Sequence, residues 1–134
     1  MKLYAPLSYW EATKEEHEAV CNGCGAKGGI DFPDTMYGLN VSEPCHIHDW
    51  MTAYGKTLGD FFFAGAIFIL NLSLVIVNKS NKLTSVLRLM RASKYFSAVM
   101  VVGLEHYWKE KDKNDDMSIS FSGTFSEIKV YNTK

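Results

Sequence analysis

The densest chemistry in this chain lies in Pro44-Cys45-His46-Ile47-His48-Asp49-Trp50, where a thiol, two imidazoles and a carboxylate fall within five positions. On a helix, His46 and Asp49 share a face, as do Cys45 and His48, while His48 and Asp49 are neighbours about 100° apart. An imidazole in such a cluster can activate water while the carboxylate helps to hold a hard cation such as calcium, whose charge polarises the carbonyl under attack. A second chemistry is structural zinc held by Cys21, Cys24, Cys45 and His46 or His48, since three cysteines and a histidine form a standard closed set. Against it, a CxxC pair normally finds its partners in a second close pair, whereas Cys45 is followed directly by His46. A third is a Cys45 nucleophile at a helix start, where a thiol pKa falls, although no separate group orients its histidine. The bland alternative is a hydrogen-bonded helix start with no reaction, and the glycine loop upstream argues against it.

Several elements must position this cluster. Ser42 as N-cap and Pro44 in the first turn predict a helix that runs to Tyr54 and stops at Gly55. Upstream, residues 21–43 contain Gly23, Gly25, Gly28, Gly29 and Gly38 with Asn22-Gly23 and Pro33-Asp34, a long loop whose backbone can turn carbonyls or amides inward. Downstream, Thr57 or Asp60 caps a helix carrying Phe61, Phe62, Phe63, Ile67, Phe68, Leu70, Leu74 and Ile76, apolar nearly all round like a central helix covered on several sides. The run from Phe61 to Val77 is at the short edge of a membrane span and is read as core. Phe61 to Phe63 are core by the same reading, with the option of forming one wall of an acyl-chain pocket. The sequons at Asn71 and Asn78 lie in or beside this helix and are accidental.

A polar turn, Asn78 to Lys82, leads to a third long helix from Thr84 to about Trp108. Lys79, Lys82, Arg88, Arg91 and Lys94 come with no acid among them; a solvated face is the first reading and an anionic lipid surface the second. Near the N-terminus, Thr13 and Glu16 are spaced as a capping box. Residues 117–131 alternate polar and apolar about Gly123, which predicts a C-terminal β-hairpin.

With 134 residues, 47% of them hydrophobic, the chain 1–134 suits one mainly α domain with a real core. A net charge of -1 leaves no global field to attract nucleic acid. Three cysteines exclude a dense disulfide framework and suit a reducing compartment or at most one bridge. The first residues lack the apolar core of a signal peptide, so no leader is expected, and the short Phe61 to Val77 run, read as core, gives no expectation of an integral membrane protein. Gly28-Gly29 is not a phosphate loop, because no Gly-Lys-Ser/Thr follows.

The segment Cys45-His46-Ile47-His48-Asp49-Trp50-Met51 resembles the catalytic helix of the phospholipase A2 superfamily, with its Cys-x-x-His-Asp core. Asn22-Gly23-Cys24-Gly25 and the later glycines resemble that family's calcium loop. The downstream Gly-x-Thr-x-x-Asp, the Phe-rich helix ending Phe68-x-x-Asn71-Leu72, and Arg88-x-x-Arg91-Ala92-x-x-Tyr95 with Val99 and Gly103 are similar to the small prokaryotic and phage-associated members. The likeness spans residues 20–107. It implies two long antiparallel helices carrying the site, a glycine-rich metal loop, His48 as general base and Asp49 as calcium carboxylate. Backbone carbonyls near Asn22, Gly23 and Gly25 would complete the metal site, with Phe61 and Phe68 toward the acyl chain. The implied reaction is calcium-dependent hydrolysis of the sn-2 ester of glycerophospholipids, with a phospholipid or membrane interface as partner and no acyl-enzyme.

Two positions depart from the pattern. Where the family orients its histidine with an aspartate on the next long helix, the matching residue is Gly65, and its usual tyrosine is Thr52. Asp60 does not replace the aspartate, since five residues along a helix turn a side chain about 140° away; Tyr54, Asn71 and Glu105 are the remaining candidates to reach the imidazole. The resemblance therefore implies weakened hydrolysis, and its alternative is a non-catalytic domain that binds lipid or a protein partner, with zinc at Cys21, Cys24 and Cys45.

Overall fold

In the computed structural model, which describes residues 2–21, 35–36, 38–109, 113–120 and 128–132, the chain is mainly helical. The elements run β1 (Lys2–Pro6), α1 (Leu7–Glu11), α2 (Lys14–Val20), β2 (Thr35–Met36), β3 (Leu39–Asn40), α3 (Ser42–Tyr54), α4 (Leu58–Lys79), α5 (Lys82–Lys109) and β4 (Ile128–Asn132). Two helix starts follow directly from local sequence. The Thr13 side chain accepts from the Glu16 amide while Glu16 accepts from the Thr13 amide, so α2 opens on a complete capping box. Thr57 and Asp60 form the second box, at the head of α4. The start of α3 differs from expectation: its N-cap is Val41, and Asn40 does the polar work, its Oδ1 accepting from both the amide and hydroxyl of Ser42 at 2.8 and 2.6 Å. Gly55 ends α3 as expected, its amide donating to Met51 O at 2.9 Å.

Helix α4 is the centre of the packing, touching α3, α5 and β1. Phe61, Phe68, Leu72 and Ile76 are each almost fully buried, and side chains of this kind contribute roughly 1.5–3 kcal/mol apiece on leaving water. By length and composition α4 could cross a membrane, but 56% of its most apolar window is buried inside the protein, as for a core helix. Its polar exception is Asn71, buried and clamped on the strand backbone: Oδ1 accepts from Tyr4 N and Nδ2 donates to Tyr4 O, both at 2.8 Å. A buried amide thus satisfies a strand edge as another strand would. Helices α4 and α5 lie antiparallel, with Gly65 against Met100, the Phe61 ring beside Gly103, and the Tyr107 hydroxyl on Thr57 O.

Among the described residues the expected C-terminal hairpin is not seen. Strand β4 pairs antiparallel with β1, Lys2 opposite Asn132 and Pro6 opposite Ile128. Residues 117–120 are not strand, and 121–127, with the proposed turn at Gly123, lie outside the described residues. The physical reason is a competing set of partners at the head of α4. Asp60, fully buried, accepts from Lys56 N at 2.7 Å, Thr57 N at 3.2 Å, Ser120 N at 2.6 Å and the Ser120 hydroxyl. Thr57 Oγ1 donates to Ser118 O, and the Leu58 and Gly59 amides donate to Asn114 O and Asp116 O at 3.0 and 3.1 Å. Only glycine fits at 59, since a Cβ there would lie 2.2 Å from Ser118 O. From the same segment, the Lys113 ammonium donates to the carbonyls of Thr52, Ala53 and Gly55 and sits 4.5 Å above the Tyr107 ring. A cation there complements the C-terminal end of α3.

Burial alone would raise the Asp60 pKa, but its bonds to Ser120, Lys56 and Thr57 outweigh that and hold it below the ordinary 3.8. A depressed carboxylate contributes stability above its unfolded value and loses it as pH falls through the folded one. Asp60→Ala is therefore expected to lower unfolding free energy in urea by roughly 2–4 kcal/mol at pH 7, since buried donors are left without an acceptor. Part of the wild type's decline in stability below pH 3.8 should vanish in the same variant. Wild-type behaviour in both measurements would mean that the carboxylate does not hold segment 113–120.

Candidate functional site

Both residues singled out for chemistry stand at the middle of α3. His48 points into the core, 7% exposed, with its ring 4.9 Å from that of Phe68 on α4. Its Nε2 is buried and has no hydrogen-bond partner. Apolar surroundings penalise the imidazolium, and burial pushes the His48 pKa down to about 4. The ring is consequently neutral at physiological pH. Asp49, the next residue, is half-buried on a different side of the helix.

That side is electronegative. Tyr9, buried on α1, donates its hydroxyl to Glu43 Oε1 at 2.6 Å. Burial, then the Glu43 carboxylate, hold the phenol well above its usual range, with Asp49 adding to the effect. The Cys21 thiol is a free thiol that donates to His46 O at 3.3 Å. Its pKa is pushed up to about 12 by burial, with the Asp49 and Glu43 carboxylates reinforcing the shift. Two carboxylates thus act on a buried hydroxyl and a half-buried thiol, and both groups are held in their protonated forms. The aromatic wall here was not legible from spacing: His17 stacks on Tyr9 at 4.5 Å, its Nε2 lies 2.7 Å from Tyr9 O, and Trp50 meets both rings edge-on. The only sequence signal for it is the aromatic Tyr9-Trp10 pair ahead of the α2 capping box.

The remaining expected site residues divide clearly. Phe68 shares the surroundings of the imidazole, whereas Phe61 packs on Phe62 and Tyr107, in the contact between α4 and α5. Asn22, Gly23, Cys24 and Gly25, the loop positions expected to give metal ligands, lie outside the described residues. Among the described residues no group of three or more His, Cys, Asp or Glu side chains is gathered as for a metal. Cys45 is disulfide-bonded. In this form it supplies neither a thiolate to zinc nor a nucleophile, and the set Cys21, Cys24, Cys45 and His46 would need reduction before it bound metal.

No candidate orienting group reaches the histidine. Thr52 turns back to donate to Asp49 O at 3.0 Å, Tyr54 packs on Trp50, Asn71 is spent on Tyr4, Glu105 accepts from Lys109, and Asp60 is committed to its cap. Gly65 faces elsewhere: a Cβ there would meet Met100 Sδ at 2.5 Å. A methionine from α5 fills the space beside this glycine, so the position serves close helix packing. Comparison of the chain with protein-family models, with curated proteins and with solved structures finds no match.

Two outcomes follow from this packing. A histidine neutral in the folded state and free to protonate when unfolded loses stability as pH falls from 6.5 toward about 4. That contribution is at most roughly 3 kcal/mol. Chemical-shift titration should place His48 well below 6.5, toward about 4, and a value near 6.5 would refute its burial. Gly65→Ala should cost roughly 1–3 kcal/mol through overpacking, and much less in a Met100→Ala background; equal costs in both would show that Met100 does not fill the space.

Proposed function

We propose that this chain is a phospholipase A2-like hydrolase that cleaves the sn-2 acyl ester of glycerophospholipids with calcium as cofactor. The observation that carries the reading is the pairing on α3 of a neutral, buried imidazole with a half-buried carboxylate, one residue apart and on different sides of the helix. That division lets one residue work as base while the other holds a cation.

His48 takes a proton from a water molecule as the water oxygen attacks the ester carbonyl. The carbon–oxygen bond to the glycerol then breaks, and the departing alkoxide recovers the proton from the imidazolium. A free fatty acid and a lysophospholipid result. Asp49, with backbone carbonyls near Asn22, Gly23 and Gly25, would hold the calcium, in the field already made negative by Glu43. When bound, calcium supplies positive charge to the phosphate and to the oxygen of the attacked carbonyl. Phe68 walls the imidazole from bulk water and offers apolar surface to an acyl chain.

Catalysis on this plan is weak, for two physical reasons. A pKa near 4 makes the imidazole a poor proton acceptor at neutral pH. Its buried Nε2 also has no acceptor to fix the tautomer, and losing the orienting acid in a serine triad costs about 10⁴-fold in rate. The same orphaned nitrogen favours the second reading, a non-catalytic domain that binds lipid or a protein partner.

Fatty-acid release from mixed phospholipid vesicles separates the two. The hydrolase reading expects slow release that requires calcium, is abolished in His48→Ala, and in Asp49→Asn is lost or restored only at much higher calcium. Release equal to the His48→Ala background, from folded protein with calcium present, would overturn it in favour of the binding domain.

A further inference from the structure

Helix α5 is apolar on two opposite faces, and α4 covers only one. Ala92, Tyr95 and Tyr107 are buried against the rest of the molecule. On the other side, Leu83 is 75%, Met90 63% and Val101 73% exposed, with Val86, Leu87 and Trp108 also open to solvent. At about 100° per residue these positions form a single stripe, turned roughly half a revolution from Ala92 and Tyr95. Scattered exposed apolar residues are ordinary, but a periodic stripe along a long helix marks a surface that meets something.

Charge identifies the partner. From Phe61 to Leu104 the chain has no acidic residue and five basic ones, Lys79, Lys82, Arg88, Arg91 and Lys94. With a net charge of -1 for the whole chain, the remainder carries -6. Lys79 and Lys82 stand exposed at the turn between α4 and α5, beside Leu83, and Lys94 stands exposed within the stripe itself. Arg88 is partly turned inward, donating to Ser80 Oγ at 2.6 Å. Two copies meeting face to face through this surface would bring like charges together. From Leu83 to Lys94 the apolar ridge is flanked by cations, with no anion before the exposed Glu105 near its far end, and this matches an anionic lipid surface, into which the apolar side chains dip while the long basic stems keep their charge at the headgroups.

We propose that the outer face of α5, from the turn at Lys79 through Met90 and Lys94, is a docking surface for anionic bilayers, lying in the plane of the membrane. This docking does not depend on catalysis at His48 and stands or falls separately from it.

The test is co-sedimentation of the full chain with vesicles of equal parts phosphatidylglycerol and phosphatidylcholine, against phosphatidylcholine alone, with a chelator present to suppress hydrolysis. Binding is expected to the anionic vesicles only and should weaken in high salt through screening. Lys82→Glu with Lys94→Glu should lower the partition coefficient at least about tenfold, as should Leu83→Asp with Met90→Asp. All four side chains are exposed, so far-UV circular dichroism and thermal unfolding should match the wild type. His48→Ala should bind as well as wild type, which separates this result from the fate of the hydrolase reading. Equal binding to neutral vesicles, no binding, or full binding by both double variants would overturn the proposal. So would a dimer in solution that the Leu83 and Met90 changes dissolve while vesicle binding is absent, which would assign the stripe to a second copy of the chain.

Discussion

The buried carboxylate of Asp60 is the constraint on which the arrangement of the helices depends. A charge removed from water is tolerated only when its lone pairs are filled, and here four donors from three residues, Lys56, Thr57 and Ser120, fill them. Two of those residues belong to the connection between α3 and α4, and the third lies sixty positions further along the chain. One group therefore caps α4 and holds the return segment against its head. From that segment Lys113 reaches the last carbonyls of α3. The end of α3 and the start of α4 are thus tied to a common piece of chain, and their relative placement sets His48 against Phe68.

Asp60 and His48 are both buried titratable groups, and the protein treats them in opposite ways. Asp60 is surrounded by donors, so its charged form is favoured despite burial. His48 meets an aromatic ring and, at Nε2, no partner, so its neutral form is favoured. The first solution builds structure. The second leaves an unsatisfied polar atom beside a negative region made by Asp49 and Glu43, which is an expensive feature for a core to keep without use.

Charge is also divided across the molecule. The region around α2 and the first half of α3 gathers Glu43 and Asp49 about Tyr9 and Cys21, whereas the hairpin of α4 and α5 is free of acid over its whole length beyond Asp60 until Glu105. The fields of the two regions are opposite in sign, negative about the first and positive about the second. The two fields arise on different elements and do not draw on the same side chains.

What could be read from the sequence is what depends on near neighbours. The capping box at Thr13, a cap at Thr57 or Asp60, the stop at Gly55 and the placing of His48 and Asp49 on one helix all rest on contacts within about four residues, which the order of residues dictates. The tertiary structure decided whatever required distant partners. Strand β4 pairs with β1, and Ser118 and Ser120 are held at Thr57 and Asp60. Asn71 was withdrawn from the histidine by a strand backbone sixty-seven residues away. Gly65 turned toward Met100, and of the cysteines Cys45 is bridged while Cys21 keeps its thiol. In each case several partners were chemically acceptable, and only the packing of the whole chain determined which one came within reach.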